Sequence, residues 1–102
     1  MCFIHVLLNG LDLQAKGHTI KIVMEGAATA LVKDLNNSGN PLQTLWQKAL
    51  DLGLIEGVCK ACAHKMGARD AAEALGLQQL AEMSGHPAMA SFMADGYEII
   101  TF

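Results

Sequence analysis

Two of the three cysteines lie close together, at positions 59 and 62, with a histidine and two lysines beside them. A Cys-x-x-Cys pair can exchange disulfides, transfer sulfur or bind a soft metal ion, because a thiolate is both a nucleophile and a metal ligand. Lys60, His64 and Lys65 bring positive charge to this segment, which favours the thiolate form. The segment is therefore the strongest candidate for chemistry in the chain.

The pair lies where a predicted strand, residues 54–59, gives way to a helix. In an open α/β sheet, reactive groups and ligands collect just past the carboxyl ends of the strands. We expect Cys59, as the last strand residue, to be shielded and Cys62, at the helix entry, to be the nucleophile. His64 and Lys65 are predicted to support its thiolate. His86 belongs to a later loop that can reach the same edge of the sheet.

The Cys-x-x-Cys pattern also permits other interpretations. A zinc site would need two further ligands, for which Cys2, His64 and His86 are candidates, but the sequence has no second Cys-x-x-Cys and no His-x-x-x-His. From the sequence alone we therefore predict no resident metal and no cofactor. A non-catalytic oligomeric module that binds zinc or a small ligand in the same cleft remains the alternative. In the simplest case, both cysteines are small buried hydrophobic residues.

Composition narrows the function class. Hydrophobic residues make up 52% of the 102 residues and charged residues 17%, below the roughly 25% charged of an average soluble domain. This composition predicts either a sheet covered on both faces or a surface partly buried in an oligomer. A net charge of −3 with 7 Lys and Arg argues against nucleic-acid binding. No apolar run approaches the roughly 18 residues of a membrane span. Three cysteines are an odd number and too few for a disulfide-dense scaffold, which favours a reducing, cytoplasmic setting.

Hydrophobic periodicity predicts alternating helices and strands. The predicted strands are residues 19–24, 54–59 and 97–102, with 77–83 a short strand or connector. The predicted helices are residues 3–16, 27–35, 41–52, 67–75 and 87–95, with a further helix entered near residue 60. The first helix, which is apolar on nearly every face, is expected to be mostly buried, and Asn40 is predicted to cap the helix that follows it. Trp46 is expected to be a core or oligomer contact, and Met89, Phe92 and Met93 form a predicted inward stripe. This alternation predicts a single three-layer α/β domain over residues 1–102, with a mainly parallel sheet and helices on both faces.

Three segments together resemble the DsrE-like family, which includes sulfur-relay subunits of sulfur oxidation and of tRNA thiolation. They are residues 16–23, the stretch 57–66 with Gly57-Val58, Ala61-Cys62 and Met66, and the closing stretch with Ser84-Gly85 and residues 96–100. The resemblance implies a flavodoxin-like sheet and trimers or hexamers. It also implies a persulfide on the cysteine that matches Cys62, exchanged with sulfur donor and acceptor proteins.

The chain departs from the family pattern at two points. Family members begin with a strand before the first helix, whereas this chain opens on a helix, so we expect a domain short of one N-terminal strand. The second departure is Cys59, three residues before the matched cysteine. The leading prediction is a cytoplasmic, oligomeric sulfurtransferase or sulfur carrier, in which Cys62 holds the sulfur and Cys59 assists its release by forming a disulfide.

Overall fold

A three-stranded parallel sheet forms the centre of the fold. The computed structural model describes residues 3–35 and 37–102. Its strands run in the order β1-β2-β3, which are Ile22–Met24, Ile55–Cys59 and Gln78–Leu80. Val58 of β2 pairs with Met24 of β1 on one side and with Gln79 of β3 on the other. The predicted α/β class with a parallel sheet is confirmed.

Helices precede, connect and follow the three strands. A 3₁₀ helix covers Gly26–Leu31, and the α-helices are α1 (Phe3–Ala15), α2 (Val32–Leu35), α3 (Gln43–Asp51), α4 (Lys60–Lys65), α5 (Arg69–Ala74) and α6 (Met89–Ala94). Over residues 3–35 and 37–102, none of these helices combines the length and the apolar character needed to cross a lipid bilayer.

The core lies on both faces of β2. Ile55, Gly57, Val58 and Cys59 are all buried; because successive strand residues point to opposite faces, both faces must be covered. One covering layer contains α1 and α3, which contact each other, and the other contains the 3₁₀ helix with α2, α4 and α5. Trp46 of α3 is fully buried, as its apolar stripe predicts. The arrangement is the expected three-layer flavodoxin-like one.

Strands β2 and β3 approach each other closely at Gly57. A Cβ atom at this position would lie 2.5 Å from the carbonyl oxygen of Gln78 and 3.1 Å from the side chain of Leu80. Glycine is therefore required here by the space between the strands. This close pairing brings the segment that follows β3 toward the end of β2.

Two strand predictions differ from the structure. Strand β1 occupies residues 22–24 of the predicted 19–24. Residues 97–102 form no strand, although Tyr97–Phe102 alternates in the expected way, and Ile100 and Phe102 are 67% and 61% exposed. The physical reason is that period-2 alternation describes which faces a strand would show, whereas a strand also needs a hydrogen-bonded neighbour. Residues 77–83, predicted as a short strand or connector, contain the strand β3 at Gln78–Leu80.

Two helix-face predictions are also wrong. The stripe expected to point inward from α6 leaves Met89 and Met93 at 50% and 62% exposure. On α1, which the sequence predicts to be mostly buried, Ile4 and Leu8 are exposed while Leu7 is fully buried. In both helices, periodicity identified apolar residues correctly, but the number of neighbouring elements decides how wide a face can be buried.

The middle helices begin differently from the prediction. The segment 27–35, expected as one helix, is a 3₁₀ helix followed by the four-residue α2. The helix expected to start at Pro41 starts at Gln43 instead. The side-chain oxygen of Asn40 accepts a hydrogen bond of 2.8 Å from the backbone N–H of Leu42, so the turn before the helix is closed by the predicted capping residue.

We expect Gly57→Ala to destabilise the fold by about 1–3 kcal/mol, because an added methyl group must push β2 and β3 apart. The measurement is the free energy of unfolding from urea denaturation. Gly39→Ala is the matched control: a Cβ at Gly39 would meet nothing within 4 Å, so its effect should stay within about 0.5 kcal/mol. Equal stability losses in the two variants would contradict the close approach at Gly57.

Candidate thiol site

Cys59 ends β2 and begins the next helix. Its backbone is extended, with φ −63° and ψ 121°, and it forms the N-cap of α4. The backbone N–H of Cys62 donates a hydrogen bond of 3.5 Å to the Cys59 sulfur. The side chain is fully buried. The first cysteine of the pair therefore lies inside the protein and stabilises the helix entry.

Cys62 lies in the first turn of α4 and is half-buried. Both cysteines are free thiols. The hydroxyl of Thr29, which is fully buried, lies 3.2 Å from the carbonyl oxygen of Cys62 and 2.8 Å from that of Gly26. This hydroxyl ties the backbone of α4 at Cys62 to the 3₁₀ helix. The more accessible thiol of the pair is thus held on an anchored backbone.

His86 completes the site from a separate loop. Its Nδ1 atom lies 3.1 Å from the Cys59 sulfur. One ligand-type atom each from Cys59, Cys62 and His86 lie within 4.8 Å of one another. We call these three residues the thiol–imidazole cluster. They combine two soft sulfur atoms with an imidazole nitrogen, which suits both thiol chemistry and the binding of a thiophilic metal ion.

A tight turn holds His86 in place. Met83 and His86 pair through backbone hydrogen bonds of 2.8 and 3.0 Å. Between them, Ser84 and Gly85 have φ angles of 52° and 90°; two successive positive φ angles are typical of a type I′ turn. Pro87, which follows, further restricts the backbone of His86. The imidazole position is thus set by the backbone of this turn.

The turn is fastened to the start of α4. The backbone N–H of Ala61 donates a hydrogen bond of 2.8 Å to the carbonyl oxygen of Gly85, and the Cys59 sulfur lies 3.7 Å from the same oxygen. A Cβ at Gly85 would also meet the Cβ of Ala61 at 3.4 Å. Gly85 therefore combines a left-handed backbone with close packing against the helix that carries Cys62.

Burial controls the ionisation of the first thiol. Desolvation raises the pKa of Cys59, while hydrogen bonds from the backbone N–H groups of Cys62 and Ala61 oppose that rise. Burial therefore favours the thiol form of Cys59. Nδ1 of His86 lies 3.1 Å from its sulfur.

The remaining predicted site residues lie elsewhere on α4. His64 is two positions after Cys62, which places it about 200° around the helix, on a different face. It lines an open cleft of about 570 Å³ together with Lys60 and Arg69. Lys65 is exposed in the last turn. Cys2, considered as a zinc ligand, lies outside the described residues.

The cleft borders the cluster. Ala61 and Gly85 are joined by a backbone hydrogen bond beside the Cys59 sulfur, and both residues also line the cleft. Lys60 and Arg69 give it positive charge, although Arg69 pairs with Glu73 at 3.4 Å. His64 thus lines the cleft beside the thiols, whereas His86 contacts the Cys59 thiol directly.

Sequence reasoning missed the part played by Thr29. It lies 33 positions before Cys62, and no local pattern connects the two residues. The turn at Ser84-Gly85 did carry a signal, since a Ser-Gly pair is typical of turns. No sequence signal indicated that this turn is attached to Ala61, because the hydrogen bond between Ala61 and Gly85 depends on how β2 and β3 pair.

The model of the DsrE/DsrF-like family matches residues 8–102. Across 97 residues, the chain is 33% identical to the uncharacterized protein MJ0733 of Methanocaldococcus jannaschii, covering 94% of this chain and 76% of that protein. No solved structure gives a significant match.

The chain therefore belongs to the DsrE/DsrF-like family, as the sequence resemblance predicts. Membership suggests a role related to sulfur relay. The matched region includes both cysteines of the pair and His86.

We expect an alkylating reagent to modify Cys62 at least about tenfold faster than Cys59 in the folded protein at neutral pH, because Cys59 is buried and its raised pKa lowers its thiolate fraction. Labelling of Cys59 should increase only as the pH rises into the alkaline range. Timed iodoacetamide treatment, followed by peptide mass spectrometry, measures both rates.

The denatured chain is the control, in which both thiols should react at similar rates. Faster labelling of Cys59 than of Cys62 in the folded protein would contradict the burial of Cys59.

Proposed function

We propose that this protein is a sulfur carrier or sulfurtransferase that holds a persulfide on Cys62. The main supporting observation is a half-buried thiol next to a fully buried one, at the strand-to-helix junction of a DsrE/DsrF-like chain. An accessible cysteine can receive and pass on sulfur, while a shielded neighbour is protected from adventitious reaction.

Loading requires a persulfide donor. The Cys62 thiolate attacks the outer sulfur of the donor persulfide, the sulfur–sulfur bond of the donor breaks, and the donor leaves as a thiolate. The transferred sulfur atom remains on Cys62 as a new persulfide. One sulfur–sulfur bond is made and one is broken, so the step needs no further oxidant or reductant.

Unloading to a partner repeats the same chemistry. A partner thiolate attacks the outer sulfur on Cys62, and Cys62 leaves as a thiolate. The cleft that borders Ala61 and Gly85 is a suitable docking surface for this partner. Its Lys60 and Arg69 side chains favour an acidic surface on the acceptor.

Cys59 provides a second route of release. After its proton passes to Nδ1 of His86, 3.1 Å away, the Cys59 thiolate attacks the inner sulfur of the Cys62 persulfide. A Cys59–Cys62 disulfide forms and hydrosulfide leaves. A cellular dithiol then reduces the disulfide and returns the protein to its starting state.

We further propose that the chain acts as a homo-oligomer in the cytoplasm. Large apolar side chains are exposed on α1, on α6 and in the last residues of the chain: Ile4, Leu8, Met89, Met93, Ile99, Ile100 and Phe102. Such surface is typical of association sites. The small number of cysteines, three in 102 residues, and the proposed thiol chemistry favour a reducing compartment.

In a Cys2→Ser background, incubation with a low-molecular-weight persulfide should add one sulfur atom to Cys62. Cys62→Ser should lower the loaded fraction at least about tenfold, because a serine hydroxyl does not replace a thiolate as nucleophile. Intact-protein and peptide mass spectrometry measure the fraction and its position.

Cys59→Ser is the matched control. It should keep the persulfide on Cys62 but release less hydrosulfide, since the internal disulfide cannot form. Unchanged loading in Cys62→Ser, or loading found on Cys59 alone, would contradict the assignment of Cys62 as the carrier.

A further inference from the structure

We propose that Cys59, Cys62 and His86 form a three-ligand site for a thiophilic cation such as Zn²⁺, with a fourth position open to solvent or to a substrate sulfur. The observation behind this is spatial convergence. The two sulfur atoms and the imidazole nitrogen lie within 4.8 Å of one another, although the sequence offers one Cys-x-x-Cys and no second ligand pair.

The distances suit a metal of this size. With Zn–S bonds of about 2.3 Å and Zn–N bonds of about 2.0 Å, the ligand atoms of a tetrahedral site lie roughly 3.5–3.8 Å apart. The Cys59 sulfur and Nδ1 of His86 are 3.1 Å apart, so they need to separate by a few tenths of an ångström. The full set needs to contract by no more than about 1 Å, which side-chain rotations can supply.

The surroundings hold these ligands in place. The backbone N–H of Cys62 donates to the Cys59 sulfur at 3.5 Å, a contact that orients a ligating thiolate and partly balances its charge. The turn at Ser84-Gly85 positions His86. A hydrogen bond of 2.8 Å from the Ala61 N–H to the Gly85 carbonyl oxygen attaches that turn to α4. The ligands from α4 and from the loop after β3 are therefore aligned before any ion binds.

Burial determines which side of the ion would stay open. Cys59 is fully buried, whereas Cys62 and His86 are half-buried. An ion at the centre of the cluster would be closed on the Cys59 side and accessible from the Cys62 side. Three protein ligands and one open position are typical of zinc sites that exchange a ligand, whereas structural zinc sites have four protein ligands.

The experiment uses the full chain in a Cys2→Ser background, reduced, freed of metal and kept away from sulfur donors. Zinc alone is titrated and counted by atomic emission after gel filtration. Cobalt substitution then reports the ligands, since thiolates bound to tetrahedral cobalt give charge-transfer and intense visible absorption. We expect one ion per chain and a spectrum with two thiolates.

Variants test each ligand. Cys59→Ser and Cys62→Ser should each weaken zinc binding by at least about 100-fold and reduce the thiolate charge-transfer band, and His86→Gln should weaken binding about 10- to 100-fold. His5→Gln is the matched control: it also removes one histidine, but from an exposed position on α1, and should bind zinc like the parent. Circular dichroism verifies that each variant folds.

Absence of zinc binding by the folded parent would overturn the proposal. Full affinity in both Cys62→Ser and His86→Gln would do the same, and neither substitution alters the fully buried Cys59. Persulfide loading is measured separately on metal-free protein. A chain that loads sulfur but binds no zinc would refute this site alone, and a chain that binds zinc but loads no sulfur would refute the sulfur-carrier proposal alone.

Discussion

The hydrogen bond from the Ala61 N–H to the Gly85 carbonyl oxygen, 2.8 Å long, joins the start of α4 to the turn that follows β3. It exists because β2 and β3 are adjacent and parallel, so their carboxyl ends meet at one edge. That adjacency in turn requires Gly57, where a side chain would collide with the backbone of β3. The contact between His86 and Cys59 depends on this chain of constraints.

The environments of the two thiols differ because of where the helix begins. Cys59 is the last residue of a strand buried on both faces, so its sulfur lies in the interior and burial raises its pKa. Cys62 is about one helical turn later, in the first turn of α4, and is half-buried. A separation of three residues therefore combines a shielded thiol with an accessible one, and His86 contacts the shielded member.

Sulfur transfer and metal binding depend on the same atoms for the same reason. A persulfide carrier needs a thiolate that can be reached, and a zinc site needs thiolates and imidazole that converge. The fold of the DsrE/DsrF-like family positions the junction in this chain, but the chemistry depends on the side chains there. Cys59 and His86 are the residues that make this junction more than a single exposed cysteine.

The sequence by itself determined the alternation of helices and strands, a strand within residues 54–59 and the position of the Cys-x-x-Cys pair at its end, because these features depend on periodicity and on residues close in the chain. It also indicated the loop that contains His86. Only the tertiary structure decided that His86 meets Cys59, 27 positions away, while His64 faces the neighbouring cleft. It likewise decided that residues 97–102 stay outside the sheet and that the α6 methionines are exposed. Those outcomes depend on which elements become neighbours in space, and that is a property of the packing of the whole chain.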